Sequence, residues 1–135
     1  LDRPDQQLHT FVAFDRAQLP LPLAGQPIPN QDLHGLSPAN LLIITHPLFV
    51  EQAQRLAEFR RTHDGLSVQV ATTEQVFQEF SAGKQDVTAI RNFVRSLYAK
   101  GSLRYILLFG DASFDYQPHA ATPETNTNFV PAYQS

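Results

Sequence analysis

The sequence YILLFGDASFDY, residues 105–116, carries the strongest signal of the fold class. Its first five residues are apolar and of strand length, and Gly110 ends the run. Asp111 follows the glycine directly, and Asp115 lies further along the same loop. In parallel α/β sheets, ligands bind where loops leave the carboxyl ends of the strands. The stretch therefore predicts a functional loop after a buried parallel strand.

The composition is that of an ordinary globular chain. Of the 135 residues, 42% are hydrophobic and 17% are charged, and the net charge is −3. This balance is typical of one folded domain. Basic residues cluster only at Arg60 and Arg61, so no nucleic-acid partner is expected. No apolar run reaches the ~20 residues that span a bilayer, so no transmembrane segment is expected.

Cysteine and methionine are both missing from the chain. Without cysteine there is no disulfide, no thiolate metal site and no thiol nucleophile within these residues. The chain starts at Leu1 and stops inside a loop, at residue 135. We expect it to be a piece of a larger enzyme domain.

Residues 1–39 differ from the rest of the chain. Residues 9–14 have the alternation of a short extended segment. Pro20, Pro22, Pro27 and Pro29 follow, and prolines at this density exclude a helix or a central strand. We expect an extended, proline-rich connector over residues 1–39 and the folded unit over residues 40–135.

Three apolar runs predict strands at residues 41–45, 66–71 and 105–109. Helical crossovers between them imply parallel pairing, in the order second–first–third. The expected fold class is a three-layer α/β sheet with helices on both faces. The residues expected to be most buried are Leu42, Ile44, Val68, Val70, Ile106 and Leu108. An edge of this sheet stays open, so the unit is expected to be marginally stable or to pair with another chain.

Helix signals lie between the strands. Pro47 suits a first helical turn and Gly65 a helix end. Thr72 and Gln75 match a capping box, and Asp86 can cap a third helix. The first helix is expected to turn four apolar side chains toward the sheet: Phe49, Ala53, Leu56 and Phe59. Residues 112–135 read as a long loop, and loops of that length are usually functional or incomplete.

Five passages in this order resemble one enzyme family: residues 30–36, NQDLHGL; 64–68, DGLSV; 81–91, SAGKQDVTAIR; 107–116, LLFGDASFDY; and 128–135, NFVPAYQS. Together they are similar to the start of a gingipain-type cysteine peptidase domain. Within that family they are most similar to the sortase of the type IX secretion system. The resemblance covers about residues 8–135 and implies the N-terminal half-sheet of a caspase-like α/β fold.

The resemblance implies a cysteine peptidase or transpeptidase that removes C-terminal sorting signals from secreted cargo. It also implies other secretion-system components as partners and a location at the outer-membrane surface of a Gram-negative bacterium. The family's catalytic Cys and His lie on later strands, and none of the five histidines here is in a matching position. The chain alone is therefore expected to be inactive. Asp111 is the best match to an acidic residue that orients the catalytic His in some gingipains.

Asp111 also has a purely structural interpretation. An aspartate after a strand-ending glycine often accepts hydrogen bonds from local backbone amides in an Asx-type turn. A further possibility is a calcium site, since calcium prefers carboxylate and carbonyl oxygens. Its ligands would be Asp32, Asp111, Asp115 and Glu124. No EF-hand spacing supports this site, and no other cofactor is expected.

Other kinds of site are disfavoured. The histidines have no i,i+4 pair that could bind zinc, and His46 alone lies near the expected active edge. The first strand ends in Thr45-His46, which excludes a dinucleotide-binding glycine loop and the acidic magnesium ligands of a receiver domain. Ser113 lacks the small neighbours of a nucleophile elbow. A non-catalytic α/β interaction module remains the alternative to the peptidase.

Overall fold

The computed structural model describes residues 10, 12–15, 19, 25, 27–113 and 128–132. Its centre is a parallel sheet of three strands, β1 (Leu41–Thr45), β2 (Val68–Thr72) and β3 (Tyr105–Phe109), in the order β2–β1–β3. The predicted order and direction are confirmed. β2 lies later than the predicted residues 66–71, because its register pairs Val68 with Leu41 and Thr72 with Thr45. The extended segment predicted at residues 9–14 lies partly outside the described residues.

The predicted caps at Thr72 and Asp86 and the predicted helix end at Gly65 are confirmed. A 3₁₀ turn, Pro47–Phe49, leads into α1 (Val50–Asp64), which ends at Gly65 with φ of 65°. α2 (Thr73–Phe80) starts with the predicted capping box, since Thr72 and Gln75 exchange backbone and side-chain hydrogen bonds. α3 (Val87–Tyr98) is capped by Asp86, which accepts from the Thr88 N–H. Within the described residues, no helix has the length and apolarity needed to cross a membrane.

The helices cover both faces of the sheet, as a three-layer α/β fold requires. Every residue of β1 is buried. Leu41 and Ile43 pack with Ala53 and Ala57 of α1. The alternate residues Leu42 and Ile44 pack on the other side, in a second cluster with Val76 of α2 and three residues of α3: Ile90, Phe93 and Leu97.

The predicted burial of β3 is wrong. Ile106 and Leu108 keep 49% and 40% of their surface exposed, and Val70 is only half-buried. Among the strands that the structure describes, β3 lies at an edge and pairs only with β1. The described cluster under α2 and α3 contains residues of β1 and β2 but none of β3. An apolar run alone does not tell an edge strand from a central one. This edge therefore presents apolar side chains to solvent.

Phe59 also departs from its predicted place on the inner face of α1. Its side chain is 51% exposed and stacks on the ring of His63, at 5.0 Å between ring centroids. Ala53 and Ala57 are the completely buried residues of α1, in one cluster with Leu41 and Ile43 of β1. The face of α1 toward the sheet is therefore the one that carries these alanines, and Phe59 lies outside it.

Residues 30–36 form a segment that we call the strap, packed against α2. Its main partner is the carboxylate of Glu79, near the end of that helix. The carboxylate accepts from the Gln31 side-chain amide at 2.9 Å, from the Leu33 N–H at 2.9 and 3.0 Å, and contacts His34 Nδ1 at 2.9 Å. Burial alone would raise the pKa of Glu79, but these hydrogen bonds outweigh burial and hold the pKa below its ordinary value of 4.5.

The lowered pKa of Glu79 predicts how stability depends on pH. The contribution of the ionised carboxylate is fully present above pH 4.5 and is lost as the pH falls through the lower folded-state pKa. Glu79→Gln should reduce the free energy of unfolding of the intact domain by about 1–3 kcal/mol at pH 7. Denaturant titrations of wild type and variant at pH 7 and pH 3 measure this difference. A difference that does not shrink at pH 3 contradicts the prediction.

Candidate functional site at the carboxyl edge of the sheet

The three strands end together at one edge. Thr45 lies opposite Thr72 of β2 and Phe109 of β3 in the parallel register. The Thr45 hydroxyl is completely buried and donates to the Phe109 carbonyl at 3.0 Å, which joins the ends of β1 and β3. The residues that follow the strands, including His46 and Gly110, are thus collected at the carboxyl edge, where α/β proteins bind ligands.

Asp111 lies at this edge, where its sequence position predicts it. Its side chain is exposed, and Oδ1 accepts from the Ala112 N–H at 2.9 Å. This bond to a local amide is the kind that the structural interpretation predicts. The carboxylate lies at the surface of this edge. Asp115 lies outside the described residues.

A short returning segment, residues 128–131, holds the loop that carries Asp111. The Val130 N–H donates to the Asp111 carbonyl at 3.0 Å, and Asn128 Oδ1 accepts from the Ser113 N–H at 3.1 Å. Asn128 keeps only 6% and Val130 only 1% of its surface exposed. Val130 belongs to the core cluster under α2 and α3. This part of the predicted long loop is therefore a buried clamp.

Gly110 is required where the returning segment crosses the loop. A Cβ atom at this position would lie 2.8 Å from Val130 Cγ2 and 3.3 Å from Phe129 Cβ. A distance of 2.8 Å is one that real Cβ atoms essentially never show to another atom. The glycine between β3 and Asp111 thus allows a close packing contact as well as a turn.

An aromatic cluster borders the same edge. Phe129 makes edge-on contacts with His46 and Phe49, at 5.0 and 5.2 Å between ring centroids. Phe49 makes a similar contact with Phe109 at 6.5 Å. His46 Nδ1 accepts from the Leu48 N–H at 3.2 Å, so the neutral ring carries its proton on Nε2. The cluster fixes the ring of His46 and anchors Phe129 above the strand ends.

A cavity of about 460 Å³ opens beside this cluster. Its wall combines polar groups with apolar side chains, and its size falls in the range of ligand pockets. The residues that line it include His46, Thr73, Glu74, Phe77, Gln85, Asn128 and Phe129. A larger cavity of about 520 Å³ lies at the opposite, amino edge, bordered by Leu41 and Tyr105. The first cavity is the candidate ligand site, because it lies at the edge where the loops with polar residues meet.

The other sequence candidates lie elsewhere. His34 pairs with Glu79 in the strap, and His63 pairs with Asp64 at the end of α1. Hydrogen bonds from Arg60 and then from His63 lower the pKa of Asp64. The two histidines are exposed, and neither lines the cavity at the carboxyl edge. His9, His119 and Glu124 lie outside the described residues.

The predicted calcium ligands are only partly described. Asp32 accepts from the Gly35 N–H within the strap, at 2.6 Å, while Asp111 is bound to Ala112. Among the residues that the structure describes, no three His, Asp or Glu side chains come together in a group that could hold a metal ion. Asp115 and Glu124 would be needed to complete the site, so calcium binding remains a prediction.

Sequence reasoning did not find three contributors to the site: Thr45, Asn128 and Phe129. Thr45 reads as the last residue of an apolar strand, and its hydroxyl bond to β3 depends on the strand order. The pair Phe129-Val130 is the one signal that could have been used, since it is an apolar pair within a polar stretch.

Comparisons with known proteins identify relatives of this arrangement. The sequence model of peptidase family C25 matches residues 34–135. The crystal structure of dimeric latent PorU from Porphyromonas gingivalis is similar, with 39% sequence identity and a TM-score of 0.62. The match covers 66% of this chain and 9% of the PorU chain, so this chain corresponds to a small part of that protein. No curated protein gives a significant match.

Proposed function

Because the chain belongs to peptidase family C25, we propose that its carboxyl edge is part of the active-site rim of a cysteine peptidase that acts as a sortase of the type IX secretion system. The observation that carries this proposal is the Gly110-Asp111 loop, held by residues 128–131 at the edge where α/β enzymes bind substrates. The 39% identity with PorU, over 66% of this chain, supports the sortase role in particular.

The chemistry requires a nucleophile and a base from outside this chain. Acyl transfer needs an activated nucleophile with a base in hydrogen-bond reach, and this chain contains no cysteine. In the proposed enzyme, a Cys and a His follow later strands of the same sheet. The present residues supply one wall of the cleft, and the chain by itself has no peptidase activity.

Asp111 is proposed to orient the catalytic histidine. A carboxylate that accepts from imidazole Nδ1–H fixes the ring tautomer and stabilises the imidazolium that forms during acyl transfer. The loop leaves Asp111 exposed at the edge, and the buried contacts of Val130 and Asn128 restrict the movement of the loop. A positioned carboxylate of this kind suits the role.

The proposed substrates are secreted proteins with C-terminal sorting signals. On this proposal the enzyme works at the outer-membrane surface, with other components of the secretion system. Cleavage of the sorting signal and transfer of the cargo to a surface glycolipid both pass through the same acyl-enzyme. The peptidase class follows from the family, whereas the cargo follows only from the similarity to PorU.

The proposal is tested on the full-length protein with a peptide that spans a cargo sorting junction. We expect cleavage that a thiol-alkylating reagent abolishes, and an acyl-enzyme on one cysteine by mass spectrometry. The 135-residue chain, assayed in parallel, should give no cleavage. Cleavage that survives complete alkylation would rule out a cysteine nucleophile and so overturn the proposal. No cleavage of any family substrate would favour the non-catalytic interaction module instead.

The exposed edge of β3 predicts self-association of this chain. Tyr105, Ile106 and Leu108 keep 40–56% of their surface exposed on a strand whose outer side pairs with no other strand in the described part of the chain. Such an edge is a template for pairing with a further strand. Ile106→Lys should lower the fraction of dimer in sedimentation velocity, because a charge on an edge strand opposes pairing. Gln52→Lys on the outer face of α1 adds the same charge elsewhere and should not change that fraction.

A further inference from the structure

The strap connects the two ends of the α/β unit. α2 starts where β2 ends, at the carboxyl edge, and runs back toward the opposite edge. Asn30, the first residue of the strap, and Pro29 before it border a cavity of about 230 Å³. Pro47, which follows β1, and Thr72, which ends β2, border the same cavity. Leu36, at its other end, accepts from Lys100 beyond the end of α3. The strap therefore lies along α2, with its first residue at the carboxyl edge.

One carboxylate holds the middle of the strap. Glu79 receives hydrogen bonds from Gln31 and from the Leu33 N–H and contacts His34, so three strap residues converge on it. The Glu79 side chain is only 16% exposed. A carboxylate has about four lone-pair positions, so these contacts nearly saturate it. The same Gln31 amide also donates to the Gln75 carbonyl of α2 at 2.9 Å.

Two further contacts fix the strap on either side of Glu79. Lys100 Nζ donates to the carbonyls of His34 and Leu36, the first at 2.7 Å. Leu33 is 5% exposed and belongs to the core cluster under α2 and α3. The His34 ring stacks on Phe80 at 4.4 Å. The strap is thus held by an acidic group, a basic group and a buried apolar side chain.

We propose that the strap is a locked joint, in which Glu79 and Lys100 fix the polypeptide that precedes residue 30 at the rim of the carboxyl edge. The preceding part of the protein then enters beside the candidate site rather than at the opposite edge. The joint sets where that part can contact the cleft. This inference concerns the position of the chain and holds whether or not the site is catalytic.

The contacts of the strap are expected to break cooperatively rather than one at a time. Loss of Glu79 removes the acceptor of the Leu33 N–H and one acceptor of the Gln31 amide at the same time, and a buried donor left without a partner is costly. Leu33 can leave the core only when this N–H is also released, since both belong to one residue. Opening at any one of these points therefore favours opening of the whole strap.

Hydrogen–deuterium exchange of the full-length protein tests the lock. In Glu79→Ala, amide exchange over residues 31–36 should rise about tenfold or more, because the acceptor that protects the strap is gone. Exchange over residues 72–78 should also rise, since Gln31 is bonded to that part of α2. Exchange in β1 and α1 should not change. Glu58→Ala removes an exposed carboxylate paired with Arg61 on α1 and should leave the strap at the wild-type rate.

A second variant keeps the test decisive where Glu79→Ala does not fold. Lys100→Met removes the other half of the lock and retains most of the aliphatic side chain, and it should raise exchange over residues 33–36 in the same way. Unchanged exchange of the strap in both variants would overturn the proposal. A rise of equal size throughout the protein would overturn it too, because it would report general destabilisation rather than release of a joint.

Discussion

Asp111→Asn in the full-length protein is expected to lower peptidase turnover by between about tenfold and 10⁴-fold, the larger factor being that known for an orienting aspartate in a serine protease triad. The isosteric amide cannot stabilise an imidazolium and favours the wrong tautomer of the catalytic histidine. The fold should be unaffected, since an asparagine carbonyl can still accept from the Ala112 N–H that Asp111 binds.

The measurement is the turnover number and KM for a sorting-junction peptide, over a range of pH. A loss of turnover with little change in KM, and a shifted pH profile, are expected for a group that acts through the histidine. Asp32→Asn is the matched control, because Asp32 also accepts from a local backbone amide, that of Gly35. Equal turnover in wild type and Asp111→Asn would remove Asp111 from the catalytic machinery and leave it as a turn residue.

Gly110→Ala is expected to destabilise the domain by about 1–3 kcal/mol, the usual range for overpacking a buried contact. The added methyl group would lie 2.8 Å from Val130 Cγ2. Val130 is 1% exposed and cannot move away without disturbing the core. The returning segment should therefore be displaced, and with it the loop that carries Asp111. Thermal and denaturant unfolding of the full-length domain measure the loss of stability.

A double-mutant cycle identifies the contact that causes this loss. Val130→Ala removes the clashing methyl groups, so Gly110→Ala should cost less in that background than in wild type. The rescue should be partial, because the φ of 158° at Gly110 is one that L side chains rarely adopt. Gly25→Ala is the control, since a Cβ there meets no atom within 4 Å. Strict additivity of the two substitutions would rule out the proposed contact.

Much of the site could be predicted because it depends on local signals. The position of Asp111 at the carboxyl edge follows from an apolar run that ends at a glycine. The capping box at Thr72 and the cap at Asp86 form where the sequence predicts them, since each needs only residues within one helical turn. The resemblance to a peptidase family rested on the same local passages, and the family match includes most of them.

The rest could not be predicted because it depends on residues far apart in the chain. Two hydrogen bonds are examples: the Val130 N–H binds the Asp111 carbonyl, and the Leu33 N–H binds the Glu79 carboxylate. Each joins segments that come together only through the packing of whole helices and strands. Val130 lies in a polar stretch, so the sequence does not predict that it is buried or that it contacts the Asp111 loop.

Local patterns in the sequence were sufficient to predict the strands, the helix caps and the edge at which Asp111 lies, and the helical crossovers were sufficient to predict the parallel order of the sheet. The exposure of Ile106 and Leu108 and the burial of Val130 are evident only from the packed structure. Ile106 and Leu108 belong to an apolar run, whereas Val130 lies in a largely polar stretch, and the burial of each depends on which elements cover it. Which elements cover a residue is set by how the layers pack, whereas an apolar run shows only that its burial would be favourable.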